Sequence, residues 1–262
     1  MTFRKNLASI ALAGGILISS ASALNSYFVM YNEIKNVMIV PGHDGRKSSG
    51  GTRGRAGKES EIVLRIASRL EKKLKADNIR VFVTRDSDCY ERPLVSTIRR
   101  NFNKLKYYIY ESPEKQRFNQ EVIDYRMILF GIAQHANEND FDLIVNLHMD
   151  KTDFETKRTK GFSVIYSNKN LRAEESREIA GYIRDSMQKE FKPSNLYSKG
   201  FDGLVERDDI LLLGNRKISV KAASVLVECG YIDNLDFLKS KTLDKAAKCI
   251  YEGIENYNKK CR

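Results

Sequence analysis

The sequence predicts a single α/β domain with a twisted, mainly parallel sheet of about six strands and helices on both faces. Short apolar runs rich in β-branched residues recur along the chain, and helical patterns lie between them. Runs as apolar as these are typical of strands that are covered on both faces. Strands that alternate with helices favour a parallel sheet, because parallel neighbours need a crossover connection.

The predicted elements extend from position 37 to near the C-terminus. The strands are predicted at 37–40, 79–84, 142–147, 162–166 and 224–227, with a weaker one at 210–213. The helices are predicted at about 62–74, 122–137, 173–191 and 243–257. A basic and aromatic stretch at about 91–120 is interpreted as an insertion in one domain that covers residues 37–260.

Positive charge dominates the chain, which has 45 Lys and Arg against 34 Asp and Glu and a net charge of +11. Hydrophobic residues make up 42% and charged residues 30%, which indicates a globular rather than a disordered protein. The excess of positive charge favours anionic partners, namely nucleic acid, anionic lipid or the acidic polymers of a cell wall. Charge alone does not choose among them.

The first 23 residues have the pattern of a secretory signal peptide. Arg4 and Lys5 precede an apolar run at 7–18, and small residues follow, so we expect cleavage after Ala23. The alternative is an uncleaved anchor, since apolar residues beyond position 23 extend the run towards the ~20 residues of a spanning helix. Either way, the domain is expected in the periplasm or at the cell wall, which disfavours nucleic acid. The membrane would be contacted only through this segment.

The four cysteines are Cys89, Cys229, Cys249 and Cys261, and no two of them form a CxxC pair. The sequence therefore gives no support for a zinc–thiolate cluster. Disulfides can form after export, but no pairing follows from the sequence.

Two of the three histidines lie at the ends of predicted strands. His43 follows the first strand, and His148 follows the strand at 142–147. Because parallel strands end at the same edge of a sheet, these two side chains can meet. A lone histidine is more often structural, but two at equivalent positions favour a metal site. His135 lies near a helix C-terminus, where a cation is favoured, and is interpreted as structural.

Two glutamates complete the candidate site. Zinc with two histidine ligands needs a third ligand and an open position for water. Glu59, which begins a helix after a glycine-rich loop, is the candidate ligand, although the helix dipole alone also favours a carboxylate there. Glu61, two residues further along the chain, is an alternative candidate for this ligand. Glu228 ends the strand at 224–227 and is interpreted as a general base rather than a salt-bridged strand end, since a carboxylate there is costly.

From position 37 to about 257, the chain resembles the zinc-dependent N-acetylmuramoyl-L-alanine amidases of bacteria. The motifs that carry the resemblance, in the family's order, are Pro41-Gly42-His43-Asp44-Gly45, Thr84-Arg85-Asp86-Ser87-Asp88, the helical Arg126, Asn146-Leu147-His148-Met149-Asp150 and Val227-Glu228-Cys229-Gly230-Tyr231-Ile232-Asp233-Asn234. A glutamate eight residues before an Ile-Ala helix is a further motif, and it selects Glu59 over Glu61. The departures from the pattern are Asp44, Asn146 and Ala223.

The resemblance implies hydrolysis of the amide between N-acetylmuramic acid and L-alanine, with peptidoglycan as the substrate and a monomeric enzyme. His43, Glu59 and His148 would bind one zinc ion, and Glu228 would pass a proton from water to the departing amine. One alternative is a catalytically silent peptidoglycan-binding protein, which would be expected to lack a ligand or Glu228. A further alternative, a nucleic-acid-binding protein, is supported only by the positive net charge.

The stretch at 99–120 adds a hypothesis about substrate binding. It contains Arg99, Arg100, Lys104 and Lys106 together with several tyrosines. These residues could form one wall of the substrate groove, where the cations would meet stem-peptide carboxylates. The alternative is a helix pair whose aromatic side chains complete the core.

Overall fold

A six-stranded sheet forms the centre of the computed structural model, which describes residues 32–44, 51–110, 120–151, 161–195, 200–214 and 218–262. Its strands are β1 (Asn36–Pro41), β4 (Arg80–Val83), β5 (Leu143–Asp150), β6 (Ser163–Tyr166), β7 (Leu204–Glu206) and β8 (Ala223–Tyr231). Their order across the sheet is β4–β1–β5–β8–β6–β7. A separate short hairpin pairs β2 (Arg53–Gly54) with β3 (Gly57–Lys58).

Within the described residues, six α-helices lie against this sheet, and they cover both of its faces as the sequence predicts. They are α1 (Glu59–Ala76), α2 (Arg92–Arg100), α3 (Phe102–Tyr110), α4 (Gln120–Glu138), α5 (Ala173–Gln188) and α6 (Ser240–Cys261). The face that carries Met38, Val40 and Ile144 packs against α2, α3 and α4. Helices α1, α5 and α6 pack together on the other face. The predicted α/β fold is therefore confirmed.

Local sequence explains why these elements form. Every residue of β1 is buried, in keeping with an apolar strand that has neighbours on both edges and helices on both faces. In α1, the buried side chains recur at helical spacing and include Ile62, Ile66, Leu70 and Leu74. Two acidic residues in the first turn and two basic residues in the last turn suit the helix dipole.

One predicted strand is wrong, and one strand of the six-stranded sheet was missed, as were the two short strands of the hairpin. The run at 210–213 forms a turn in which the Leu213 amide donates to the Ile210 carbonyl at 3.1 Å, and Leu212 and Leu213 are buried. Its apolar character reflects this burial rather than strand pairing. The sixth strand is β7, whose three residues are partly exposed at the sheet edge and carry little apolar signal.

The strands of the sheet are not all parallel. β4, β1, β5 and β8 pair in parallel, whereas β6 pairs antiparallel with β8. β7 is parallel to β6. The sequence prediction of a mainly parallel sheet is thus confirmed, and four adjacent strands end at one edge.

The stretch at 91–120 contributes α2 and α3, which pack against α4, although residues 111–119 lie outside the described ranges. Leu94, Leu105 and Ile109 are buried in that contact. Arg100 pairs with Glu138 at 2.9 Å, at the end of α4 remote from its first turns. The two helices therefore contribute to the core, as the alternative predicts, whereas the groove-wall hypothesis stays a prediction. That the stretch is an insertion stays a prediction.

The segment at 1–23, predicted to be a signal peptide or anchor, lies outside the described residues. Among the described residues, none of the helices has the length and the apolar character needed to cross a membrane. Residues Glu33–Arg262 form one compact unit.

Candidate metal centre

Parallel pairing brings the two candidate histidines together. Pro41 of β1 is level with Leu147 of β5, and the Gly42 amide donates to the Leu147 carbonyl at 2.8 Å. His43 and His148 therefore lie side by side at the carboxyl edge of the sheet. Their ring centroids are 4.9 Å apart, with the rings nearly perpendicular.

The backbone around His43 allows this close approach. His43 has a φ of 54°, in the left-handed region that non-glycine residues seldom adopt. Gly42 lies against the His148 ring, since a Cβ there would come within 2.4 Å of a ring carbon. Gly51 lies against His43 in the same way, with its Cβ position 2.8 Å from that of His43. Two glycines thus leave room for the two imidazoles.

Glu59 is brought to the histidines by the β2–β3 hairpin, because it is the first residue of α1 and follows β3 directly. Its Oε1 lies 3.1 Å from His148 Nδ1 and 3.5 Å from His43 Nε2. The backbone amide of Met149 also donates to Oε1 at 3.1 Å. The other oxygen, Oε2, accepts hydrogen bonds from the Thr52 amide at 3.1 Å and the Thr52 hydroxyl at 3.2 Å. Thr52 therefore fixes the carboxylate orientation.

The three side chains fit a divalent metal with an open coordination site. One donor atom from each of His43, Glu59 and His148 lies within 4.8 Å of the other two. Tetrahedral ligands of zinc at 2.0–2.1 Å are separated by about 3.4 Å, close to the two distances from Oε1. Two imidazoles and one carboxylate are also a ligand set found in catalytic zinc sites.

Electrostatics keep Glu59 ionised. Burial by itself raises the pKa of this carboxyl, but the hydrogen bond from His148 and the charges of both histidines bring it down to about 2. The ligand is therefore a carboxylate at neutral pH, as metal binding requires. Glu61, the competing residue, is exposed and pairs with Lys58 at 3.4 Å. It is not part of the three-residue cluster.

Glu228 lies beside the cluster, on β8. It is level with His148 on the neighbouring strand, so both side chains point to the same face of the sheet. Among the described residues, its buried Oε2 has no hydrogen-bond partner. Burial raises the pKa of Glu228 to about 8, and the charges of Asp150 and Glu59 add to this against the effect of His148. A carboxylate held in this way is suited to accept and release a proton near neutral pH.

Sequence reasoning missed Thr52 and Tyr125. Tyr125, on α4, stacks on His43 with ring centroids 6.2 Å apart, and burial raises the pKa of its hydroxyl to about 12. Its neighbour Arg126 was the residue that the family motif indicated. His135 is structural, as expected, because its Nδ1 lies 2.8 Å from the Thr97 hydroxyl and burial lowers its pKa.

Comparison with known proteins identifies the family to which a chain with this site belongs. Residues 37–256 match the sequence model of the N-acetylmuramoyl-L-alanine amidases. The chain belongs to this family. It is therefore an enzyme that hydrolyses the amide bond between N-acetylmuramic acid and L-alanine in peptidoglycan.

Individual relatives agree with this assignment. The chain is 24% identical over 227 residues to a germination-specific N-acetylmuramoyl-L-alanine amidase of Bacillus subtilis, across 85% of this chain and 79% of that protein. The fold is similar to that of the amidase Ami1 from Mycobacterium smegmatis, with a TM-score of 0.62 and 22% identity over 87% of this chain and 100% of that one. It is also similar to the CwlD amidase of Clostridioides difficile, solved with the GerS lipoprotein, with a TM-score of 0.61, 20% identity and coverage of 85% and 98%.

The contact between Thr52 and Glu59 generates a prediction. Thr52→Val keeps the side-chain shape but removes the hydroxyl, so the carboxylate loses one of its orienting donors. Loss of such an outer partner typically weakens metal binding by about 10–100-fold. Thr52→Ser, which keeps the hydroxyl, is the matched control. Zinc titration against a competing chelator measures the zinc affinity of each variant. Equal affinities in the two variants would contradict the role of the hydroxyl.

Proposed function

We propose that the protein is an exported, zinc-dependent N-acetylmuramoyl-L-alanine amidase. In this proposal, His43, Glu59 and His148 bind one zinc ion, and Glu228 is the catalytic acid and base. The observation that carries it is the convergence of one imidazole nitrogen from each histidine on the same carboxylate oxygen, at 3.1 and 3.5 Å. Hydrogen bonds to the other oxygen of Glu59 leave Oε1 directed at the histidines.

The chemistry of the ion is general to catalytic zinc: it polarises a carbonyl group and makes water more acidic. The chain supplies the proton transfers and the orientation of its ligands. Glu228 Oε2 accepts a proton from the attacking water and then delivers it to the nitrogen of the departing L-alanine. Such positioned proton transfer typically accelerates a reaction by about 10²–10⁴-fold.

The environment of Glu228 supports this role. Its Oε2 is buried without a partner among the described residues, so the proton-accepting atom is not engaged elsewhere. The pKa of Glu228, which burial raises to about 8, would fall in the field of a bound cation towards the neutral range. A general base is most effective when its pKa lies close to the working pH.

A catalytically silent peptidoglycan-binding protein is the alternative that the sequence raised. Such a protein would have no need to retain a costly buried carboxylate beside three metal ligands. The presence of all four residues supports an active enzyme. Export through the segment at 1–23 is part of the proposal, because peptidoglycan lies outside the cytoplasm. The net charge of +11 suits an acidic wall polymer.

A single assay tests the proposed function. The protein is incubated with purified peptidoglycan, and the new amino groups of L-alanine at the ends of released stem peptides are identified. Release of stem peptides is expected with zinc bound. It should fall to background once a chelator has removed the metal, and it should return when zinc is added back. Persistent release by protein whose measured metal content is zero would contradict metal dependence. Binding without release would favour the silent protein.

The assignment of the third ligand is tested by a pair of glutamine variants. Glu59→Gln removes the carboxylate that faces both histidines, so zinc affinity is expected to fall by at least about tenfold. Glu61→Gln, two residues away and exposed, is the control and should bind zinc like the unmodified protein. Metal titration of both variants at one pH gives the comparison. Equal losses of zinc affinity in the two variants would contradict the assignment of Glu59, rather than Glu61, as the ligand.

Glu228→Gln tests the proton-transfer role. The amide keeps the size of the side chain but cannot accept a proton, so turnover should fall by about 10²–10⁴-fold while zinc content stays at one ion. Glu206→Gln, at the exposed end of β7, is a control outside the site. Amidase rates and metal content are measured on the same preparations. A folded Glu228→Gln protein without zinc would make Glu228 a ligand instead.

A further inference from the structure

The guanidinium of Arg85 lies fully buried beneath the metal centre. Arg85 follows β4 and the Thr84 amide that continues its pairing with β1. The four hydrogen bonds that its side chain donates all go to backbone carbonyls, and the nearby charges of Asp44 and Asp88 also favour the cation. Burying a cation costs free energy unless its donors are satisfied, and here backbone dipoles satisfy them.

Two of the four carbonyls belong to residues adjacent to the candidate ligands, and a third belongs to a residue two positions from His43. Arg85 Nε donates to Pro41 at 3.2 Å, and Nη2 donates to Gly42 at 3.1 Å. Gly42 directly precedes His43. Nη2 also donates to the carbonyl of Ser60 at 2.9 Å, and Ser60 directly follows Glu59. One side chain therefore joins the loop that carries His43 to the helix start that carries Glu59.

Arg85 donates to the peptide unit between Gly42 and His43, and this unit leads into an unfavourable backbone conformation. His43 has a φ of 54°, a conformation that costs a non-glycine residue free energy and persists only when its surroundings fix it. The Gly42 carbonyl belongs to the peptide unit that leads into His43. A hydrogen bond from a rigid, planar guanidinium fixes the plane of that unit, and hence the direction in which the His43 side chain leaves the backbone.

We propose that Arg85 is a positioning residue for the metal centre, and that it acts by locking together the backbone segments that carry His43 and Glu59. Arg85 is not one of the candidate ligands, and its side chain is fully buried. It sets the separation of two ligands whose donor atoms must lie about 3.4 Å apart for tetrahedral binding. This inference rests on the proposed metal-dependent function.

Arginine is specifically suited to this task. Its fork of donors reaches carbonyls on two separate segments at once, whereas a lysine has a single ammonium on a flexible stem. Arg85→Lys keeps the positive charge but cannot maintain all the hydrogen bonds. Arg85→Met keeps much of the packing volume and removes both the charge and the donors.

These two substitutions separate positioning from electrostatics. A cation near a metal site disfavours a divalent ion, so an effect of charge alone predicts tighter zinc binding in Arg85→Met and no change in Arg85→Lys. Positioning predicts weaker binding in both. We expect zinc affinity to fall by about 10–100-fold in Arg85→Met, as for other outer partners of metal ligands, and by a smaller factor in Arg85→Lys.

Arg172→Met is the control for the loss of a partly buried arginine that binds a backbone carbonyl outside the site. Arg172 also donates to a backbone carbonyl, that of Asp142 at 3.0 Å, and pairs with Glu175. Asp142 precedes β5, at the end of that strand opposite His148. Arg172→Met should lower the thermal midpoint of the metal-free protein while its zinc affinity stays within about twofold of the unmodified value.

The experiment measures zinc affinity by competition with a chromophoric chelator, together with the thermal midpoint of each metal-free protein. The visible spectrum of cobalt-loaded protein reports ligand geometry and should change in both Arg85 variants but not in Arg172→Met. Unchanged affinity and spectrum in folded Arg85→Lys and Arg85→Met would overturn the proposal. If Arg85→Met does not fold, the zinc affinity and cobalt spectrum of Arg85→Lys alone test the proposal. An unmodified protein that binds no zinc would instead refute the proposed function.

Discussion

The parallel pairing of β1, β5 and β8 is the constraint on which the site depends. It places the ends of three adjacent strands at one edge, and Pro41 level with Leu147. The same register sets His148 opposite Glu228. Because side chains alternate between faces, a slip of one residue would turn His148 or Glu228 towards the opposite face, among the helices α1, α5 and α6. The almost entirely buried apolar residues of these strands prevent such a slip, since it would expose or misplace each of them.

The carboxyl edge concentrates buried charge, and each group is stabilised differently. Glu59 is stabilised as a carboxylate by two histidines and by Thr52. Arg85 is stabilised as a cation by carbonyl dipoles and by the nearby charges of Asp44 and Asp88. Of these three charged groups, only Glu228 has a buried side-chain oxygen without a hydrogen-bond partner among the described residues. Unsatisfied polar atoms in a folded interior are rare and tend to occur at functional sites. This contrast distinguishes the residue proposed to move protons from those that hold the geometry.

The sequence predicted the elements whose signals are local and strong. The buried runs that became β1, β5 and β8 are mostly apolar, and the stripe in α1 has clear helical spacing. The run at 210–213 was misassigned because burial in a turn and burial in a strand select the same residue types. β7 was missed because an edge strand of three residues has little hydrophobic pattern. In the site, the positions of His43 and His148 followed from parallel topology, whereas choosing Glu59 over Glu61 needed the family motif. The contacts of Thr52 and Arg85 depend on loop geometry that composition does not encode.

The glycine-rich loop links the third ligand to the strand of the proposed base. The Ala56 amide donates to the carbonyl of Ile232 at 3.0 Å, and the Arg55 amide donates to Asp233 Oδ1 at 3.0 Å. A Cβ on Gly54 would come within 2.6 Å of Ile232, so only glycine allows the hairpin to lie this close. Since Ile232 directly follows β8, the hairpin cannot shift Glu59 without disturbing the segment beyond Glu228. Backbone hydrogen bonds thus hold the ligands and the base in one frame, and the metal is expected to occupy a geometry that the chain has already formed.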